Sequence, residues 1–134
     1  MPTTAKRAAQ AAEEMLSDGE PLGAVWRYVI VQLLDDYESA VRHVGVGAGA
    51  QMWADPPGLT DDARVDAALA ALGEHLARRD HWRVPSWTVE TSREATEWWF
   101  VTELRGLHRR ALVESPLSFR KRGVFITSDA LTRV

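Results

Sequence analysis

Residues 21–41 read PLGAVWRYVIVQLLDDYESAV, and this stretch has the clearest helical pattern in the chain. Its apolar residues recur every three or four positions from Leu22 to Val41, which is the period of an amphipathic helix. Pro21 suits the first turn of such a helix, where its missing N–H costs nothing. The length of the run outweighs the strand preference of the Val-Ile-Val at 29–31. We predict a helix at the centre of the core. Its solvent face should carry the charged residues Arg27, Asp35, Glu38 and Arg42.

Two alanine-rich segments on either side of this helix also carry helical signals. Residues 4–17 predict a weak helix that ends at the stop signal Asp18-Gly19. Residues 62–79 predict a second helix, for which Thr60 is the candidate cap and the two following aspartates suit the positive end. The core face of this second helix should be a narrow apolar seam of Val65, Leu69, Leu72 and Leu76.

An aromatic loop and another helix should come next. Residues 81–88 contain Trp82 and Trp87 around Pro85, which predicts an extended loop over a hydrophobic surface. Residues 94–113 contain a helix that is clearest from Thr102. Its inward residues should be Leu104, Leu107, Ala111 and Leu112, and its outward residues Arg105, Arg109 and Arg110.

The C-terminus predicts several short elements. A helical turn after Ser115-Pro116 should stop at Gly123, as a glycine following a helix does. Residues 124–127 are rich in β-formers but isolated. With Ser128-Asp129 as the cap, residues 130–134 should form a final helix.

A long Gly/Pro loop separates the two halves of the chain. Residues 45–50 read GVGAGA, and with Asp55-Pro-Pro-Gly58 they suggest a loop of about fifteen residues. A phosphate-binding glycine loop would need a preceding strand, and this run follows a helix. We therefore predict a mainly α fold, a small helical bundle in one domain of residues 1–134, with a short irregular or extended segment near the C-terminus. If the domain has two lobes, they are 1–44 and 59–134.

Composition narrows the class of protein further. A chain of 134 residues has the size of one domain, and 46% hydrophobic residues are enough for a core. Without cysteine, neither a disulfide nor a thiolate zinc site can form. The N-terminus has no apolar signal-peptide region, and no stretch approaches the roughly 18 apolar residues of a membrane helix. We expect a cytoplasmic protein with no membrane association.

Charge is distributed unevenly along the chain. Residues 1–67 hold 5 basic and 11 acidic side chains, whereas residues 68–134 hold 11 basic and 8 acidic ones. Such an asymmetry can mark a surface for nucleic acid or for an acidic protein. Helix C-termini also collect Arg and Lys because of the helix dipole, so both interpretations stay open.

No catalytic set emerges from the sequence. No two of the four histidines have the i, i+3 or i+4 spacing at which one helix holds a metal: His43, His75, His81 and His108. The adjacent carboxylates occupy exposed helical faces or caps: Glu13-Glu14, Asp35-Asp36 and Asp61-Asp62. No Gly-x-Ser-x-Gly nucleophile elbow occurs. We predict a non-enzymatic protein without metal or cofactor, in which His108 is a hydrogen-bonded residue at the edge of the core.

Two clusters in the second half are candidate binding surfaces. The consecutive rings of Trp98, Trp99 and Phe100 cannot all face inward from one helix, so at least one should be exposed or cover a neighbouring element. Such a patch suits a protein partner or self-association, and the alternative is a small aromatic core under the Pro85 loop. The second cluster joins rings and cations that suit phosphate contacts: Phe119, Arg120, Lys121, Arg122 and Phe125.

The second half also resembles a known family. The segments that carry the resemblance are Leu59-Thr60-Asp61-Asp62, the seam of residues 65–76, Val84-Pro85-Ser86-Trp87, Trp99-Phe100-Val101 and, most specifically, Ser115-Pro116-x-x-Phe119-Arg120-Lys121-Arg122-Gly123-Val124-Phe125-Ile126. They resemble a block, here about residues 59–134, of actinobacterial antitoxin-like proteins encoded beside nucleotidyltransferase toxins of the AbiEii type.

The resemblance implies a bacterial binder that neutralises or regulates a toxin enzyme. Many relatives also carry a helix-turn-helix domain. This sequence departs from them, because no recognition-helix module is recognisable in it, so operator binding is not expected. Whether Phe119, Arg120 and Arg122 touch a partner or fix the last turn stays open, and burial of Phe119 and Phe125 would favour the second role. The alternative function is a small nucleic-acid-binding transcriptional regulator that uses Arg105, Arg109, Arg110 and residues 120–122. An enzyme assembled from distant Glu, His and Arg residues is the third hypothesis.

Overall fold

The computed structural model describes residues 3–132, and in this range it is mainly helical. The helices are α1 (Ala5–Ser17), α2 (22–43), α3 (Val46–Gln51), α4 (Ala63–Asp80), α5 (His108–Glu114) and α6 (Leu117–Arg120). Two short strands form a parallel sheet, β1 (Trp99–Phe100) and β2 (Val124–Phe125). Single 3₁₀ turns lie at Ser86–Val89, Thr91–Arg93, Arg105–Leu107 and Ser128–Leu131. The predicted mainly α class is confirmed.

The predicted helices at 4–17 and 21–41 are confirmed as α1 and α2. α1 begins at Thr4, whose hydroxyl accepts the Arg7 N–H at 3.2 Å, and it buries its alanine face. α2 consists of Leu22–Val25, a π-helical turn at Trp26–Ile30 and Val31–His43. Of the four charged residues predicted on the solvent face of α2, Arg27 and Arg42 are exposed. Asp35 and Glu38 are half-buried.

Helix α4 is buried on nearly every side. Between Val65 and Ala77 only His75 keeps substantial solvent exposure. The four residues of the predicted seam are fully buried, as expected. The buried face is wider than predicted, because the alanines and Gly73 are small enough for neighbouring elements to pack on the other faces too. The predicted cap is wrong, because Asp62 accepts the Arg64 N–H at 2.9 Å. Thr60 instead donates its hydroxyl to the carboxylate of Asp66 at 2.9 Å.

Residues 45–58 are not one long loop. Val46–Gln51 form α3, which packs on α2 through Gly49. A Cβ at Gly49 would lie only 2.7 Å from carbons of Tyr37 and Val41. Gly49, one of the glycines that suggested a loop, is thus the residue that lets the two helices approach closely.

The helix predicted within 94–113 is wrong over most of its length. Only His108–Glu114 are α-helical, and Trp99–Phe100 form β1, which pairs with Val124–Phe125 in parallel register. Residues 124–127 are therefore not isolated. Of the four residues predicted to face inward, Ala111 is fully buried, Leu107 is half-buried, and Leu104 and Leu112 are exposed. The bulky aromatic residues favour the strand because each can then pack on one face of the sheet.

The remaining short elements agree better with the sequence. The turn after Pro116 is confirmed as α6, and Gly123 follows it at φ +80°. Trp87, in the loop predicted to cover a hydrophobic surface, stacks on Trp53 at 6.3 Å. The predicted final helix is wrong in its described part, where Ser128–Leu131 make one 3₁₀ turn; residues 133 and 134 lie outside the described range.

Within residues 3–132, no helix combines the length and apolarity that a bilayer span requires.

Candidate partner-binding surface

The two-stranded sheet has a core face and an outer face. Trp99 and Val124 pair on the core face. There the rings of Trp99 and Trp26 are nearly perpendicular, with centroids 5.9 Å apart. Phe100 and Phe125 pair on the outer face and stack at 5.0 Å. Successive side chains of a strand point to opposite faces, so the consecutive aromatic residues are divided between core and surface.

The outer face carries a continuous aromatic cluster. The His108 ring of α5 stacks on Phe100 at 4.3 Å, and its Nε2–H donates to the Thr102 carbonyl at 3.0 Å. Trp98 packs against Phe125 at 5.0 Å, yet 68% of Trp98 remains exposed. The predictions of an exposed ring and of a hydrogen-bonded His108 at the core edge are confirmed.

Exposed large apolar side chains occur in both halves of the chain. Those in the second half are Val89, Trp98, Leu104, Leu112, Val113 and Leu117, and those in the first half are Tyr28, Val44, Val46 and Leu59. Leu112 follows His108 by one helical turn, so it extends the outer aromatic cluster along α5. An exposed tryptophan that packs on a phenylalanine is a side-chain type enriched at protein interfaces.

The predicted basic residues differ in what they contact. Among the described residues, the exposed Arg105, Arg109 and Arg120 have no carboxylate within 4 Å. Arg110 pairs with Glu114 at 3.0 Å, and hydrogen bonds from Arg110 and from the Ser128 N–H lower the pKa of Glu114 to about 2. Three free cations are thus available near α5 and α6.

Phe119, Arg122 and Phe125 do not lie on the surface. Phe119 is fully buried, and Arg122 and Phe125 are 3% and 4% exposed. Arg122 donates to the carbonyls of Ser118 at 2.8 Å and Thr88 at 2.7 Å. The predicted exposed cluster of residues 119–125 is wrong at these positions, and their burial favours the role of fixing the last turn.

The buried guanidinium of Arg122 has a buried counter-charge. Arg122 Nη1 lies 2.6 Å from Oε1 of Glu74, which is 1% exposed. Lys121 Nζ and Arg78 Nε donate to Glu74 Oε2 at 2.9 and 2.8 Å. Arg122 Nη1 and Lys121 Nζ also lie within ion-pair distance of Glu74 Oε1. Neither contact to Oε1 has the angles of a hydrogen bond, so both are ion pairs. Burial would raise the pKa of Glu74, but the hydrogen bonds and the nearby charges lower the pKa to about 2.

Two further charged residues are buried: Asp66 in the first turn of α4, and Arg93 in a 3₁₀ turn. Arg93 is 4% exposed, donates to the Pro57 carbonyl at 2.6 Å and lies over the Trp87 ring at 5.1 Å. Asp66 is 4% exposed and accepts both the N–H and the hydroxyl of Thr60 at 2.9 Å. Burial raises the pKa of Asp66 despite these hydrogen bonds.

Sequence reasoning missed both buried carboxylates. These are Glu74 and Asp66, and neither was among the candidate residues of the sequence. The available signal was the run of alanines and Gly73 around them: a helix with small residues on all faces has no solvent side for a carboxylate.

The described residues contain no group of three or more His, Asp or Glu side chains that could hold a metal ion. The buried carboxylates are held by internal partners. Surface grooves include one between residues 47–56 and 82–87 and one between α2 and residues 101–103.

Comparison of the chain with protein-family models, curated proteins and solved structures finds no match.

Proposed function

We propose that this protein is a non-catalytic, antitoxin-like partner in the bacterial cytoplasm that binds and neutralises or regulates a toxin enzyme. The observation that carries the proposal is the outer aromatic cluster, in which Trp98 is 68% exposed and rests on Phe125. A large, partly anchored ring is the side-chain type that contributes most to protein interfaces. The resemblance of residues 59–134 to antitoxin-like proteins supplies the class of partner, a nucleotidyltransferase toxin.

The aromatic cluster suits a binding role because its support is rigid. Phe100 and His108 hold each other by stacking, and Trp98 rests on a strand residue that is 96% buried by the rest of the fold. Preorganisation of this kind lowers the entropy lost when a partner docks. The exposed Arg105, Arg109 and Arg120 would attract an acidic partner protein and raise its association rate.

The test is co-expression and pull-down with the product of the neighbouring gene. Trp98→Ala should weaken the complex about thirtyfold, because a central tryptophan contributes roughly 2 kcal/mol at an interface. Val44→Ala is the matched control, since Val44 is 79% exposed but lies in the first half of the chain. The proposal fails if no complex forms and the toxicity of the partner is unchanged.

The alternative is nucleic-acid binding by the basic C-terminal surface. It has less support, because Arg110, Lys121 and Arg122 are already paired with Glu114 and Glu74. If Arg105, Arg109 and Arg120 nevertheless bind phosphates, affinity should fall steeply with salt. A gel-shift assay that shows no binding at low salt would remove this alternative.

A further inference from the structure

Two arginines lie beside the outer aromatic cluster. The 3₁₀ turn Arg105–Leu107 runs directly into α5, so residues 105–114 form one helical stretch. Residues three and four positions apart on a helix are neighbours on its surface. The group related by these spacings consists of Arg105, His108, Arg109 and Leu112. Because His108 stacks on Phe100 at 4.3 Å, this group borders the outer face of the sheet.

The ion pair of α5 lies on the other flank of the helix. Each residue turns by about 100°, so His108 and Glu114 lie on opposite sides of the buried Ala111. Arg110 is on the Glu114 side, where it pairs with Glu114 at 3.0 Å and is near enough to Asp129 for their charges to interact. The His108 side carries the two other arginines and Leu112.

The carboxylates that are near the aromatic cluster in sequence lie against other elements. Glu103 Oε1 is 3.1 Å from the position that a Cβ at Gly23 would occupy, so Glu103 lies against the first turn of α2. The charge of Glu97 interacts with that of Arg64 at the start of α4.

The two arginines on the His108 side therefore keep their charge uncompensated. Both Arg105 and Arg109 are exposed, and among the described residues neither has a carboxylate within 4 Å. Their positions differ by one helical turn, so a partner chain can meet both at once.

Apolar surface continues from these arginines to Trp98. Leu112 is 38% exposed and Trp98 is 68% exposed. Between them the rings of His108, Phe100 and Phe125 form one stack, with centroids 4.3 and 5.0 Å apart and interplanar angles of 10° and 22°. Trp98 packs against Phe125 at the far end of this stack. A docking segment can thus contact cations at one end of the surface and a large ring at the other.

We propose that this surface binds an acidic segment of the partner protein, whose carboxylates pair with Arg105 and Arg109 and whose apolar side chains cover Leu112 and Trp98. The inference rests on the proposed protein-binding function and specifies the chemistry of the partner segment. The described side chains of this flank offer two guanidinium groups and no carboxylate, so charge complementarity favours an acidic segment. A basic segment would bring like charges together over the same apolar side chains.

Two other occupants have less support. A second copy could offer the exposed acidic residues Glu13, Glu14 and Asp18 of α1 and the turn after it. Such a copy would dock head to tail, and head-to-tail contacts repeat into rings or open filaments. Single-stranded nucleic acid could stack on Trp98, but its phosphates are normally followed by a longer groove of cations than two arginines provide.

The test uses blocked peptides as probes and the full chain as the receptor. The acidic probe is Glu-Leu-Glu-Glu-Leu-Phe-Glu, and two control peptides replace every Glu by Gln or by Lys. Isothermal titration calorimetry should show that the acidic peptide binds about fivefold more tightly than the neutral one, because it gains two ion pairs. The basic peptide should bind most weakly. Nuclear magnetic resonance titration with the acidic peptide should shift the Trp98 indole N–H and the Leu112 methyl groups.

Two double variants identify the arginines that matter. Arg105→Gln/Arg109→Gln should lower the affinity for the acidic peptide about fivefold and leave the affinity for the neutral peptide unchanged. Arg42→Gln/Arg110→Gln is the matched control, because it changes the net charge equally but alters α2 and the opposite flank of α5. Its affinity for the acidic peptide should stay within about twofold of the unaltered chain. The midpoint of urea unfolding checks that both variants fold.

Several results would overturn the inference. They are absence of saturable binding, equal affinity for the acidic and neutral peptides, and equal effects of the two double variants. Tighter binding of a thymidine oligonucleotide than of the acidic peptide would assign the surface to nucleic acid. Concentration-dependent self-association in sedimentation, abolished by Arg105→Gln/Arg109→Gln, would assign it to a second copy.

The same variant separates this inference from the proposed function. If the neighbouring gene product binds the unaltered chain and Arg105→Gln/Arg109→Gln equally, the function stands and the acidic contact is wrong. If the peptides behave as expected but no toxin partner binds, the surface takes acidic segments and the antitoxin-like function is wrong.

Discussion

At the scale of single residues, the most consequential side chain is Glu74 in the middle of α4. It is 1% exposed and contacts three cations, of which Arg122 is as deeply buried as Glu74 itself. A buried ion pair gains little over apolar packing, but losing one partner leaves an uncompensated charge in the interior. Glu74 therefore determines whether Arg122 can remain inside.

Glu74→Gln should lower the free energy of unfolding by about 3 kcal/mol, because Arg122 would keep its carbonyl contacts but lose its counter-charge. Urea unfolding followed by circular dichroism measures the change. Glu114→Gln is the control: Glu114 has an equally low pKa, but its pair with Arg110 is exposed to solvent. The effect of Glu114→Gln should be much smaller, and equal losses would contradict the importance of burial.

The acid sensitivity of the protein should also depend on Glu74. Its pKa is about 2 in the fold against 4.5 as the ordinary value, so the folded state holds the proton less tightly than the unfolded state. The stabilisation is complete above about pH 4.5 and is lost as the pH falls through about 2. Unfolding measured between these values should show a smaller pH dependence in Glu74→Gln than in the unaltered chain. Parallel curves would show that Glu74 does not titrate as described.

At the scale of elements, contacts between segments distant in sequence determined secondary structure that local composition did not predict. The GVGAGA run predicted a loop, but α3 forms there because Gly49 lets it pack on α2. The helix predicted within 94–113 is wrong over most of its length, because Trp99 and Phe100 pair with Val124 and Phe125 in a sheet. No local sequence pattern predicts this pairing. Elements with a long apolar period, such as α2, were predictable because their pattern is local.

The two glycines of α3 should respond to alanine in opposite directions. Gly49→Ala should destabilise the protein by about 1–3 kcal/mol, since its Cβ would meet ring and methyl carbons at 2.7 Å. Gly47→Ala meets nothing within 4 Å and should stabilise the helix by up to about 1 kcal/mol. Thermal unfolding of both variants measures the two signs. Stabilisation by both would mean that α3 does not pack tightly on α2.

At the scale of the whole molecule, residues from both halves of the chain share one hydrophobic core. Trp26 of α2 contacts the rings of Trp99 and Phe119, with ring centroids 5.9 and 6.3 Å apart. The division into lobes 1–44 and 59–134 stays a prediction. These contacts give a direct way to test it.

Urea unfolding should be a single transition, because neither half can keep its buried surface without the other. Tryptophan fluorescence and far-ultraviolet circular dichroism should give the same midpoint. A fragment of residues 59–134 should remain largely unfolded, since it lacks Trp26 and the α2 face. Two separate transitions, or a folded fragment, would instead establish independent lobes.

The sequence by itself determined the mainly α class, helices α1, α2 and α4 and the turn that ends at Gly123, because periodicity, alanine content and glycine are local signals. It also identified the aromatic residues of the candidate surface. Only the tertiary structure decided which of these aromatic side chains are exposed to solvent. The reason is that β2, which lies more than twenty residues after β1, determines the register of the sheet and which face of β1 is exposed. The burial of Glu74 with Arg122 likewise depends on a contact between distant segments, which no local pattern of charge encodes.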